Sequence, residues 1–138
     1  MRILLDTCVI IDLLTDFDSL GTDVLDILND PSNKLYVSAE TLRELIVNFN
    51  NKKLLPKYWK TAEDMIKAIK EEANVDILPL TEAVMFTYSR LRINTGQEHR
   101  DPSDYVIVSH AITEHFTLLS SDTRFWFYRN QGLDLIEY

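Results

Sequence analysis

The stretch Arg2-Ile3-Leu4-Leu5-Asp6-Thr7-Cys8-Val9-Ile10-Ile11 decides how the rest of this chain reads. A strand-like run over residues 2–5 ends in an acid, and an apolar helical segment over 7–15 follows at once. The arrangement recurs at Phe116-Thr117-Leu118-Leu119-Ser120-Ser121-Asp122. Further strand-like runs lie at 34–38, 75–79, 116–120 and 133–137. Helical segments are expected at 19–29, 39–50, 57–73, 81–94, 102–115 and 122–130. Strands alternating with helices predict an α/β chain with a central parallel sheet of about five strands. Right-handed crossovers then put helices on both faces, giving three layers, α/β/α. In such a sheet, ligands gather outside the carboxyl ends of the strands, where the strand order reverses. Asp6 and Asp122 stand at such ends.

The bulk numbers narrow the class. With 138 residues and no repeat or linker-like tract, residues 1–138 are expected to form a single domain. A composition 46% hydrophobic and 26% charged suits a soluble globular protein. No apolar run reaches the roughly 20 residues of a membrane span, and no signal-peptide pattern opens the chain. The lone Cys8 excludes an internal disulfide and makes a reducing cytoplasm the expected setting. No Gly-rich phosphate-cradling pattern is present.

Net charge is −8, from 14 basic and 22 acidic residues. That argues against coating nucleic acid by bulk electrostatics. It leaves room for a carboxylate-based nuclease, whose site is itself acidic. The basic residues concentrate in 52–70, with Lys52, Lys53, Lys57, Lys60, Lys67 and Lys70. A solvated helix face accounts for that stretch most simply.

Each acid has a plain structural explanation. Asp6, Asp101 and Asp122 suit helix N-caps, and Asp101 with Asp104 resembles a capping box around Pro102-Ser103. Glu40 and Glu44 share the polar face of a helix whose apolar stripe is Leu42, Leu45, Ile46 and Phe49, so both read as solvated glutamates. Cys8 reads as a small core residue. Trp59, Tyr88, Trp126, Phe127 and Tyr128 could stack on bases but are expected in a core or an interface. The case for chemistry lies in the set. Acids at strand ends and helix starts can form a nest of oxygen ligands for a hard divalent cation.

The order of these segments resembles the PIN-domain family, as in VapC-type toxins. Leu4-Leu5-Asp6-Thr7-Cys8-Val9-Ile10-Ile11 looks like that family's opening motif. Val37-Ser38-Ala39-Glu40-Thr41-Leu42-Arg43-Glu44-Leu45 resembles its second, in which the acid directly before Leu is the ligand, here Glu44. His99-Arg100-Asp101-Pro102-Ser103-Asp104-Tyr105 and the helix after it resemble the third, whose second acid is Asp104. Thr117-Leu118-Leu119-Ser120-Ser121-Asp122-Thr123-Arg124-Phe125 resembles the fourth. The match spans nearly the whole chain. It departs at Ser103, Tyr105 and His110, where an aromatic, Arg and Gln are frequent; none of these removes an acid.

The resemblance implies a PIN-like domain and a metal-dependent endoribonuclease. Asp6, Glu44, Asp104 and Asp122 would be the catalytic, metal-holding acids for Mg²⁺ or Mn²⁺. Asp6 and Asp104 would be the direct ligands, and Glu44 and Asp122 would act through metal-bound water. Asp101 and Thr7 would be accessory, and Arg100 and Arg124 are candidates for contact with an RNA substrate. A protein antitoxin, contributing a basic side chain to the acidic pocket, and a homodimer are further implied. Three other readings remain open at this stage: a housekeeping RNA-processing nuclease, a catalytically silent PIN scaffold, and a phosphoacceptor receiver domain built on Asp6. The last lacks a well-placed phosphoacceptor and late Lys.

Overall fold

The computed structural model describes residues 1–51 and 59–138. Lys52, Lys53, Lys57 and the start of the expected 57–73 helix lie outside the described residues.

A five-stranded parallel sheet runs through the molecule in the order β3-β2-β1-β4-β5. The strands are β1 (Arg2–Leu5), β2 (Lys34–Ser38), β3 (Asp76–Leu78), β4 (Thr117–Ser120) and β5 (Asp134–Glu137). The chain builds outward from β1 to β3, then returns to the other side of β1 to lay down β4 and β5. The order therefore reverses between β1 and β4, which places a crevice at their carboxyl ends. Leu5 registers with Leu119, and the Asp6 amide continues the ladder to the Leu119 carbonyl at 3.0 Å.

Helices cover both faces: α1 (Thr7–Thr15), α2 (Thr22–Asn29), α3 (Ala39–Asn50), α4 (Ala62–Lys67), α5 (Glu82–Arg90) and α6 (Pro102–Glu114). The strand period of two sorts β1 between two cores. Ile3 and Leu5 join Val9, Ile10, Val37, Leu45, Met65 and Ile69 on one face. Leu4 joins Ile107, Val108, Leu118, Phe125 and Tyr128 on the other. The near-continuous apolar character of β1 and β4 is what burial on both faces requires. Each fully buried leucine there contributes about 2–3 kcal/mol.

Several helix ends differ from expectation. The 81–94 segment stops at Arg90. Gln131 accepts from the Arg92 amide at 2.9 Å and donates to the Arg92 carbonyl at 3.0 Å, which holds the chain extended there. The segment after Pro56 is helical from Ala62 to Lys67 and then widens into a π turn over Ala68–Glu72. The last helix, Thr123–Gln131, is 3₁₀ rather than α. Its i and i+3 side chains eclipse, so Phe125 and Tyr128 enter the core side by side. Gly132 ends it at φ 102°, a left-handed conformation suited to glycine.

Candidate metal centre

Asp6 is both a helix cap and a buried acid. It leaves β1 in extended conformation and its Oδ1 accepts from the Thr7 amide at 2.8 Å, capping α1. Its Oδ2 accepts from the Ser120 hydroxyl at 2.6 Å and from the Cys8 thiol at 3.4 Å. Only 5% of the residue is exposed. Burial pushes the Asp6 carboxyl up to about 6, and the neighbouring Asp104 charge adds to this against the hydrogen bonds.

Glu44 approaches from α3. Its Oε1 accepts from the Thr7 hydroxyl at 2.7 Å, and that hydroxyl also lies 3.0 Å from Thr41 Oγ1. Thr7 thus ties the first turn of α1 to α3. Burial pushes Glu44 up to about 7, and repulsion from Asp101, Asp104 and Asp6 adds to it. The helical spacing that paired Glu44 with Glu40 on a polar face is correct, but neither is a freely solvated glutamate.

Asp101 and Asp104 come from the start of α6. Asp101 is exposed and caps the helix, accepting from the Ser103 amide at 3.0 Å. Asp104 Oδ2 lies 2.8 Å from His99 Nε2, and the Asp104 side chain is 13% exposed. Asp122 caps the 3₁₀ helix through the Arg124 amide at 2.9 Å. The Arg124 guanidinium grips the same carboxylate, with Nη2 at 2.7 Å and Nε at 3.0 and 3.2 Å. This Arg124 contact holds Asp122 below the ordinary carboxylate range, against the opposing pull of burial.

The acids therefore converge. Asp6, Glu44 and Asp104 feel one another's charge, and Asp101 lies close enough to act on Glu44. Donor atoms of His99, Asp104 and Asp122 all lie within 4.8 Å of one another. Oxygen-rich donors that repel each other in a partly buried crevice suit a hard divalent cation. Burial, with repulsion added to it, raises the Asp6 and Glu44 carboxyls, and a bound cation would oppose that shift.

Other expectations settle differently. Arg100 is a surface side chain, 81% exposed and 3.7 Å from Glu98. Arg124 faces the acids, but its charge is engaged by Asp122. Cys8 is half-buried, packed against the core as expected while its thiol also reaches Asp6. Glu40 is buried. It accepts from Arg43 Nη2 at 2.5 Å and from the Ser103 hydroxyl at 2.7 Å, joining α3 to α6. Burial pushes Glu40 up, but the Arg43 and Ser103 bonds outweigh it and leave the carboxyl lowered. His110 is buried with Nδ1 3.0 Å from the Ser38 hydroxyl. Tyr128 is in the core, whereas Trp126 and Phe127 are exposed. Lys60, Lys67 and Lys70 are exposed, in keeping with a solvated face.

Sequence reasoning missed Ser120 and the full environment of His99. Ser120 follows from register: it is the β4 residue beside Asp6 once Leu5 is paired with Leu119. His99 lies outside any element, and no periodicity marks it.

The model of the PIN domain family matches residues 3–132. The chain belongs to the PIN domain family. No curated protein matches the chain. Among solved structures, this PIN domain is similar to a VapBC2 complex from Rickettsia felis bound to a DNA fragment from its promoter. That match has 22% identity and a TM-score of 0.71, covering 99% of this chain and 98% of that one. FitAcB from Neisseria gonorrhoeae matches at 25% identity and a TM-score of 0.62, covering 98% and 96%. VapBC-5 from Mycobacterium tuberculosis, of the VapBC family of toxin–antitoxin systems, matches at 19% identity and a TM-score of 0.62, covering 99% and 98%. These end-to-end likenesses establish the fold. Among the described residues, no helix is long and apolar enough to cross a membrane.

Proposed function

We propose that this PIN domain is a divalent-metal-dependent endoribonuclease and the toxin of a toxin–antitoxin pair. The observation that carries the reading is the convergence of Asp6, Glu44 and Asp104, with buried Asp6 and half-buried Glu44 both raised, at the point where the strand order reverses. In phosphodiester hydrolysis, Mg²⁺ or Mn²⁺ activates a water and stabilises charge on the phosphoryl oxygens.

Asp6 and Asp104 would hold the ion most directly. Ser120 and the Thr7 amide orient the Asp6 carboxylate, and Thr7 orients Glu44, so these acids are set before anything binds. Glu44, held by Thr7 beside these acids, would act through a water at the ion. Asp122 contributes negative charge while fixing Arg124 at the edge of the crevice, where the guanidinium can meet a substrate phosphate. Asp101 adds charge from the rim.

The toxin assignment is supported by the end-to-end likeness to proteins of toxin–antitoxin systems. By that reading the chain works in the cytoplasm, pairs with a protein antitoxin and forms a homodimer. An assay on total RNA tests the activity, comparing wild type with Asp6→Asn, each with Mn²⁺ and with chelator. Wild type should cleave only with metal and the variant should not. Equal cleavage by both, or cleavage that survives chelation, overturns the proposal. Inducing the gene alone tests the toxin role: growth arrest reversed by a neighbouring small gene is expected, and indifference to induction defeats it.

A further inference from the structure

We propose that His99 is the positioning residue for Asp104: its ring, locked in one tautomer by Tyr128, donates from Nε2 to Asp104 Oδ2 and leaves Oδ1 for the cation. The inference rests on the reading of the acidic cluster as a cation site and adds the part that orients it.

His99 is fully buried, and both ring nitrogens are occupied. Nε2 faces a carboxylate oxygen at 2.8 Å. An ionised carboxylate only accepts, so Nε2 carries the hydrogen. Nδ1 lies 3.0 Å from the hydroxyl of Tyr128, which is itself fully buried. That hydroxyl already accepts from the Asn94 amide at 3.2 Å, so its own hydrogen needs an acceptor, and Nδ1 is the one within reach. The hydrogens thus run one way: Asn94 amide to Tyr128, Tyr128 to His99, His99 to Asp104.

The rest of the pocket holds the ring in place. Tyr105, Phe125 and Tyr128 surround it edge-on, with centroids 5.7, 5.2 and 5.6 Å away. The Tyr105 hydroxyl donates to the His99 carbonyl, fixing the backbone as well. Asn94, which starts this chain of bonds, is anchored by donating to the Arg124 carbonyl at 3.0 Å. The shape that brings His99 Nε2 near both Asp104 and Asp122 could suggest a histidine ligand. Full burial and two committed nitrogens argue for the outer role instead, in which a partner hydrogen bond fixes a ligand carboxylate.

The test measures Mn²⁺ binding to the full chain by calorimetry and by electron spin-echo spectroscopy. Removing an outer-sphere partner typically costs about 10–100-fold in metal affinity, which is the loss expected for His99→Leu. His99→Gln, whose side-chain amide can donate from the same place, should recover most of the affinity. The Mn²⁺ signal of wild type should show no directly bound imidazole nitrogen. Unchanged affinity in His99→Leu overturns the proposal, and so does a directly coordinated nitrogen, a measurement on wild type that needs no variant to fold. If wild type binds no Mn²⁺, the cation-site reading itself fails; if wild type binds and only the His99 result is negative, that reading survives and the positioning role does not.

Discussion

The two sides of the acidic crevice are built on opposite electrostatic plans. On the β1–α3 side, Asp6 and Glu44 are oriented by neutral hydroxyls, a thiol and a backbone amide, and both carboxyls are raised. On the α6–β4 side, Asp104 has a histidine and Asp122 has an arginine, and Asp122 is lowered. Neutral partners fix geometry without neutralising charge, so the first side keeps the cost of burial, with repulsion added to it, that a cation would oppose. The Arg124 guanidinium fixes geometry and supplies compensating charge, so Asp122 is settled in advance. The difference teaches that a row of acids in sequence is not a row of equivalent ligands.

The sharpest way to break this comparison is to remove one acid from each side and measure cleavage. Asp6→Asn and Asp104→Asn should each lower Mn²⁺-supported kcat/KM by about a hundredfold or more, the rate equivalent of several kcal/mol of lost charge stabilisation. Retained activity in either variant would remove that acid from the proposed site.

The cost of burying the Asp6 charge should next be visible in stability without metal. A carboxyl raised in the folded state stabilises the fold fully below its unfolded value of 3.8, and that contribution is lost as pH rises through about 6. Asp6→Asn removes the charge while keeping the shape. In chelator it should therefore be more stable than wild type by up to about 3 kcal/mol at pH 7.5, with the advantage fading toward pH 4. Paired denaturant titrations at the two pH values check this, and a variant less stable at pH 7.5 would contradict the assigned strain.

Arg124 sharpens the other side. Its removal should tighten Mn²⁺ binding, because a cation beside the site is lost, yet lower RNA cleavage about tenfold through a lost phosphate contact. Calorimetry and single-turnover cleavage on Arg124→Ala separate the two, and parallel changes in both would count against the double role. The smallest effect is expected at Ser103→Ala, which breaks the tie from α6 to Glu40 and Arg43. A loss of about 1 kcal/mol in unfolding free energy is expected, with cleavage little changed.

Much of this site could be read before the fold was known, and the limits are instructive. Asp6 and Asp122 were placed by the strands they follow, since an acid after a buried strand ends at the carboxyl edge. Pro102 places a helix start at Asp101 and Asp104 alike, and the choice of Asp104 rests on the resemblance to the family's third motif. Glu40 was misread because helical spacing says which residues share a face, not what covers that face; α6 covers it through Ser103. Arg124 and Asp122 were named separately, although capping geometry at two-residue spacing turns the arginine back onto its own cap. The 3₁₀ form of the last helix was also hidden, because aromatic spacing alone does not choose between helix types.

The sequence by itself determined the parallel α/β order and the strand ends that carry Asp6 and Asp122, whereas Glu44 and Asp104 stand out from Glu40 and Asp101 only through the resemblance to the family's motifs. Periodicity and chain order are local properties, and they survive without any knowledge of packing. Only the tertiary structure decided which partner each acid has: Ser120 for Asp6, Thr7 for Glu44, His99 for Asp104, Arg124 for Asp122. Those partners set the charge and the orientation of the acids. Two of the four, Ser120 with Asp6 and Thr7 with Glu44, reach across long sequence separations, where hydrogen bonding and burial depend on how layers pack rather than on any pattern along the chain.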